Sequence, residues 1–295
     1  MGGLLLRAGL HLADLAVPPL PRRVAYALAD RAGRAWHRRS ASRRALVAEN
    51  LRRVLAAQGR PTEGRDFDRL VERAFVEHAR YWMEVFRLRH YPEERFATML
   101  EAEGWETLRP IFAGGAVVAI PHLGNFEPFA HFLESQGISG LSPVEETEPK
   151  ELYQFLVKRR LVGGRAIRLV PLSQSVRPML AALRSGHLVA LAADRDLSGD
   201  GIPVTMFGHA TTLPAGPATL ALRTQRPLLV ARALRLGPDR FTATAVPVEA
   251  ELSGDFRSDI RTLTHALAAG FERAIGEAPE QWFAAFQPYW TDQRS

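Results

Sequence analysis

After Gly104 the chain adopts a pattern that restricts its fold more than any other feature: short apolar runs rich in β-branched residues alternate with helix-length segments. Val117–Ile120, Ala166–Val170, Leu188–Ala192 and Leu228–Ala231 read as buried strands, with helices expected near 125–136, 150–162, 175–185 and 216–224 between them. Strands that are apolar along their whole length need cover on both faces. The pattern therefore predicts an α/β fold with a central mixed, largely parallel sheet flanked by helices. A strand over Phe241–Val248 and a helix from about Asp255 to Gly276 complete this core.

Upstream, the apolar positions keep a helical period, as in Leu46, Val47, Leu51, Val54 and Leu55, and again in Phe67, Leu70, Val71, Ala74 and Phe75. The chain shows no internal repeat, low-complexity tract or long linker. The economical division is a helical N-terminal region over 1–100, extending an α/β core over 101–295 as one integrated domain. With 295 residues, 46% of them hydrophobic, a substantial core can be buried.

The formal net charge of +6 is unevenly distributed. Residues 22–60 hold eleven arginines against two acids, a surplus of nine, so the rest of the chain is net acidic at −3. This basic segment follows a stretch in which Leu5, Leu6, Leu10, Leu12 and Leu15 are interrupted by Arg7, His11 and Asp14 and which ends in prolines. No run is long and apolar enough to span a bilayer, and a signal peptide is a poor match. An amphipathic helix beside arginines such as Arg22, Arg23, Arg38, Arg39, Arg43 and Arg44 suits an anionic membrane surface, with residues 1–44 as the attachment segment. The same arginines also fit the solvated faces of core-packed helices. Nucleic acid is not expected as a partner, because stacking aromatics and a reader motif are both missing.

Dinucleotide and Walker loops and the serine-hydrolase elbow are absent, and the nine histidines lack metal-ligand spacing, so no metal or cofactor is expected. Two strand ends remain. At the first, Val117–Ile120 runs into Pro121-His122-Leu123-Gly124-Asn125-Phe126-Glu127, with Asn125 suited to capping the next helix. A carboxylate that fixes the tautomer of His122 would leave the other ring nitrogen as a general base. The bland reading is a histidine bonded to a loop carbonyl and a Glu127 answering the helix dipole. At the second, Asp194-Arg195-Asp196 follows Leu191-Ala192-Ala193. Its carboxylates could orient a base, form an ion-pair knot or grip a divalent cation; the last defines the alternative of a metal-dependent glycosyltransferase using Asp194 and Asp196.

Together the two strand ends resemble the lipid acyltransferase superfamily built on His-x-x-x-x-Asp/Glu, and more narrowly the branch holding the late acyltransferases of lipid A synthesis and the phosphatidylinositol mannoside acyltransferases. The resemblance runs through Ala79–Leu88, Ile120–Glu127, Asp194–Leu197 with Met206-Phe207-Gly208, Leu213–Ala218, and Gln281-Trp282 with Pro288-Tyr289-Trp290. It implies transfer of a fatty acyl chain from acyl-CoA or acyl carrier protein to a hydroxyl of a glycolipid or lysophospholipid, without an acyl-enzyme. The amphipathic N-terminus departs from the single spanning helix of many lipid A acyltransferases, so peripheral attachment at the cytoplasmic face of the inner membrane is expected. Carried over by position, His122 is the base, Glu127 the motif acid and Asp194 an acid that relays charge to the histidine. Arg160 is expected at the thioester oxyanion or a phosphate; Asn125, Arg195 and Asp196 are expected to frame the substrate. His209 stands where the family usually has an acid, which puts acceptor contacts there in doubt. The absence of cysteine agrees with direct attack, since no cysteine thioester can form.

Overall fold

Val117, Val118 and Ala119 are all buried, and alternate residues of their strand enter two different cores. That is the period of two expected of a strand covered on both sides. The computed structural model describes residues 2–88, 90–146, 153, 154, 157 and 167–294. The side chains of residues 2–8 and of Glu93 are outside that description, so Leu5 and Leu6 are placed only by their helix. Of the expected helix over 150–162 only residues 153, 154 and 157, all helical, are described, and Arg160 lies outside the described residues.

The N-terminal region is helical: α1 (Gly2–Ala16), α2 (Arg22–Arg39), α3 (Ala41–Ala57), α4 (Arg65–Leu88) and α5 (Glu93–Met99). There follow β1 (Leu100–Ala102), α6 (Trp105–Ala113), β2 (Val117–Ile120), α7 (Glu127–Ser135), β3 (Gly140–Val144) and β4 (Ile167–Pro171). The chain continues with α8 (Val176–Arg184), β5 (Leu188–Ala192), β6 (Ile202–Met206), β7 (His209–Leu213), α9 (Gly216–Thr224), β8 (Leu228–Gly237), β9 (Arg240–Pro247) and α10 (Phe256–Glu277). Seven strands form one sheet in the order β1-β9-β8-β2-β5-β3-β4. The five from β8 to β4 are parallel, β9 runs antiparallel to β8, and β1 is parallel to β9. A separate antiparallel hairpin joins β6 to β7.

Helices α3, α4, α8, α9 and α10 cover one face of the sheet, where Val117, Val189, Leu191 and Val230 meet Leu51, Phe75, Leu183 and Phe271. Helices α5, α6 and α7 cover the other, where Val118, Leu188 and Leu229 meet Phe96, Phe112 and Phe129. Two N-terminal helices are thus built into the main core. Helix α2 packs on α4 through Ala25, Tyr26, Ala29 and Met83. Gly33 permits the approach, since a Cβ there would lie 2.6 Å from the Val76 Cα. Arg80 then locks the pair with two bonds to Asp30, at 2.7 and 2.9 Å.

The sequence pattern missed β1, β3 and the hairpin. Strand β3 contains Pro143, which removes a backbone donor, but its pairing with β5 has already ended at Leu141.

Candidate active site

Strands β2 and β5 are parallel neighbours with Ile120 opposite Ala192, and the last ladder bond runs from the Ala193 N–H to the Ile120 carbonyl at 3.0 Å. Two residues beyond that shared register stand His122 on one strand and Asp194 on the other. Equal offsets bring their side chains together, with His122 Nδ1 2.5 Å from Asp194 Oδ1. Asp194 is completely buried, whereas the His122 side chain is 32% exposed. A carboxylate without water is costly unless donors replace the water. Here the indole N–H of Trp282, itself buried, donates to Asp194 Oδ2 at 3.0 Å. Burial alone would raise the Asp194 carboxyl, but the imidazole and the indole donor outweigh it and hold the group below its ordinary value.

The loop carrying His122 is tied at several points. The His122 carbonyl accepts from the Phe283 N–H at 2.7 Å, and the Gly124 N–H donates to the Gln281 carbonyl at 2.9 Å. Gly124 has a φ of 64°, and a Cβ on it would lie 1.9 Å from the Ala233 carbonyl oxygen in the middle of β8; only glycine fits. Asn125 is sealed in the interior. Its N–H donates to the Ala233 carbonyl at 2.9 Å, its side-chain oxygen accepts from the Glu127 N–H at 3.1 Å, and its amide donates to Glu84 Oε2 at 2.7 Å. Asn125, expected to frame substrate, is placed as a frame for the loop. It also supports the start of α7 from one residue before the formal cap, Phe126.

Glu127 stands at the first position of α7, partly buried, while the bond to His122 Nδ1 belongs to Asp194. Arg195, about a quarter exposed, reaches a long ion pair with Glu145 at 3.8 Å. Asp196 does not join Asp194. Its carboxylate accepts from the Gly199 and Gly201 N–H groups at 2.9 and 3.0 Å and from the Ser198 hydroxyl at 3.3 Å, so it builds its own loop. Burial would raise Asp196, but bonds from Thr212, Gly201, Gly199 and Ser198 hold it low. With one carboxylate turned to His122 and Trp282 and the other to a glycine turn, the pair does not form a cation grip. Asp196 thus stands apart from the His122–Asp194 pair, and the two carboxylates expected to act together in the metal-dependent alternative are turned to different partners. Among the described residues no group of three or more His, Cys, Asp or Glu could hold a metal ion.

Three site residues escaped the sequence reading: Trp282, Glu84 and Arg235. Trp282 and Glu84 belonged to recognised blocks but carried no assigned role. Glu84 and Arg235 form a buried pair in which Glu84 Oε1 and Oε2 accept from Arg235 at 2.6 Å each. Glu77 also takes an Arg235 donor. Burial alone would lower the guanidinium, and the two carboxylates outweigh it, keeping it firmly charged.

At the N-terminus, Leu10 is partly buried, and the exposed apolar side chains are Leu12 and Leu15 on α1 and Val24 and Leu28 on α2. Arg22, Arg23, Arg38 and Arg39 are exposed. Arg43 and Arg44 have internal duties as well, donating to the Phe286 carbonyl and, at 2.7 Å, to the His37 carbonyl. Among the described residues no helix is long and apolar enough to cross a membrane.

A family model described as bacterial lipid A biosynthesis acyltransferase matches residues 11–291. A phosphatidylinositol mannoside acyltransferase from Mycolicibacterium smegmatis is 32% identical over 249 residues, covering 82% of this chain and 79% of that one. Its counterpart from Mycobacterium tuberculosis is 31% identical over 252 residues, covering 83% of this chain and 76% of the relative. The chain is thus an O-acyltransferase and belongs to the bacterial lipid A biosynthesis acyltransferase family.

Proposed function

We propose that this protein moves a fatty acyl chain from the thioester of acyl-CoA or acyl carrier protein to a hydroxyl of a glycolipid or lysophospholipid, with His122 as general base. The observation that carries the reading is the buried Asp194 bonded to Nδ1 of a partly exposed His122 at adjacent strand ends. Asp194 keeps the imidazole proton on Nδ1, so Nε2 is the nitrogen that accepts. Nε2 takes the acceptor hydroxyl proton as the oxygen attacks the thioester carbonyl carbon. The tetrahedral intermediate collapses, the C–S bond breaks, and the imidazolium returns its proton to the departing thiolate. Asp194 stabilises the imidazolium in between. Arg195, Arg160 and Glu127 are proposed to contact the donor phosphates, the oxyanion or the acceptor. No metal or other cofactor takes part.

The protein works as a peripheral enzyme at the cytoplasmic face of the inner membrane. Support comes from the exposed Leu12 and Leu15, at 67% and 76%, beside exposed arginines of α2. Further support comes from Tyr26, whose hydroxyl accepts from the Asp239 N–H at 2.9 Å in the β8–β9 turn. That turn follows the carboxyl end of β8, which is parallel to β2, so α2 and His122 lie at the same end of the sheet. Purified protein given labelled palmitoyl-CoA and a membrane lipid extract is expected to label a lipid, and His122→Ala to abolish the label. Labelling that survives His122→Ala would sink the assignment of the base. Activity lost on chelation would count against a metal-free mechanism.

A further inference from the structure

The buried charges around Glu84 are more elaborate than holding a helix on a sheet requires. A buried ion pair contributes little to stability, because desolvation offsets its attraction. Arg235 on β8 already has Glu77 of α4 as a partner, and Glu77 itself also binds Arg80 at 2.8 Å. Glu84 does something different. Its Oε1 accepts from the Tyr26 hydroxyl at 2.7 Å and from Arg235 Nε, and its Oε2 accepts from Arg235 Nη2 and from the Asn125 amide at 2.7 Å. Four donors from three other parts of the chain converge on one side chain that is 1% exposed. One of them belongs to the loop that carries His122.

We propose that Glu84 is a positioning residue for acyl transfer, acting on His122 through Asn125; the proposal rests on the reading of His122 as the base. The loop from Pro121 to Phe126 is anchored upstream by the Phe283 N–H on the His122 carbonyl and in the middle by Gly124 against β8. Downstream, Asn125 anchors the loop through its side chain, whose amide bonds to Glu84 and whose oxygen supports α7. Arg235 reinforces the same point, because its N–H and carbonyl pair with the Gln281 side chain at 2.9 and 3.0 Å, next to Trp282. One network thus reaches both halves of the dyad: the loop bearing His122 and the tryptophan that donates to Asp194. A displacement of about 1 Å at a reacting group can lower a rate a hundredfold, so a hub of this kind controls turnover without touching substrate.

The experiment pairs Glu84→Gln with Glu77→Gln in the intact protein, assayed with palmitoyl-CoA and membrane lipid acceptor and normalised to folded protein. Both variants remove one carboxylate from Arg235, but only Glu84 meets the loop. Glu84→Gln is expected to lower kcat about tenfold to a hundredfold, with KM for the acyl donor within about twofold, and to shift the His122 imidazole nitrogen resonances in histidine-labelled protein. Glu77→Gln is expected to keep kcat within about twofold, whatever its Tm. Equal losses in the two variants, or full kcat in Glu84→Gln, would overturn the proposal. Should Glu84→Gln fail to fold, Asn125→Asp is compared with the double variant Asn125→Asp/Glu84→Gln. The single change sets two carboxylates against each other, and the double change restores a donor–acceptor pair in reverse. At least a tenfold recovery of kcat per folded molecule is expected, and its absence in a folded double variant refutes the idea. His122→Ala in the same assay separates the two failures. An active His122→Ala removes the base and the positioning role together, whereas a dead His122→Ala beside a fully active Glu84→Gln removes the positioning role alone.

Discussion

Asp194 carries its charge where no water reaches it, so its donors decide its behaviour. A carboxyl held low contributes stability that is fully present above the ordinary carboxylate range and is lost as pH falls through the lowered folded value. Trp282→Phe keeps the packed ring and removes one donor to that charge. Its expected cost at neutral pH is about 2 kcal/mol, read from the denaturant midpoint, with a smaller fall in activity than His122→Ala. His78 loses stability in the same direction of pH but for the opposite reason, because its folded site favours the neutral form. Burial and the nearby Arg43 push it down to about 4, and its ring is packed against Trp36, Phe283 and Phe286. The folded state resists the proton that the unfolded chain accepts near 6.5, so stability is lost as pH falls from about 6.5 to about 4. Between pH 7 and pH 5 the loss should be about 2 kcal/mol in thermal or urea unfolding, and His78→Phe should remove most of it. At this scale His122 and Asp194 were legible because each ends an apolar strand. Trp282 and Arg235 were not, because they lie 88 and 151 positions from Asp194 and Glu84, and nothing local in a sequence marks partners that distant.

Elements were legible in proportion to how completely they are buried. Strands β2 and β5 and the first four residues of β8 present unbroken apolar runs because helices cover both of their faces. Strand β3, with glycine at its start and a proline within it, has no such run, and β1 is three residues long. The hairpin turns on Phe207 and Gly208, both at positive φ, although phenylalanine rarely signals such a turn; its ring is buried, and that burial offsets the backbone cost. The contact of α2 with α4 depends on one missing side chain. Gly33→Ala would push a methyl group into the Val76 backbone, lowering stability by about 3 kcal/mol and the Tm with it, as calorimetry would record. A Tm unchanged within a degree would mean that α2 can lift away without cost.

For the whole molecule, the start of α2 reaches the end of the sheet where the parallel strands finish, because Tyr26 meets the β8–β9 turn, and the helix carries exposed arginines with Val24 and Leu28. Sedimentation with phosphatidylglycerol vesicles should fall at least about tenfold when Leu12, Leu15 and Leu28 are all changed to Glu. Binding of the unaltered protein should weaken as salt rises from about 0.1 to 1 M, where screening shortens to about 3 Å. Vesicle binding indifferent to both would refute the attachment surface.

The three parts of the dyad's setting come from far apart along the chain. His122 arrives first, Asp194 follows after the crossover through β3, β4 and α8, and Trp282 is delivered after α10. A chain is synthesised from its N-terminus, so the imidazole is made long before the carboxylate that orients it, and the indole that sustains that carboxylate comes later still. On the proposed reading of the dyad, the site is therefore complete only once residues 281–283 have been made, so the order of synthesis sets the moment at which catalysis can begin.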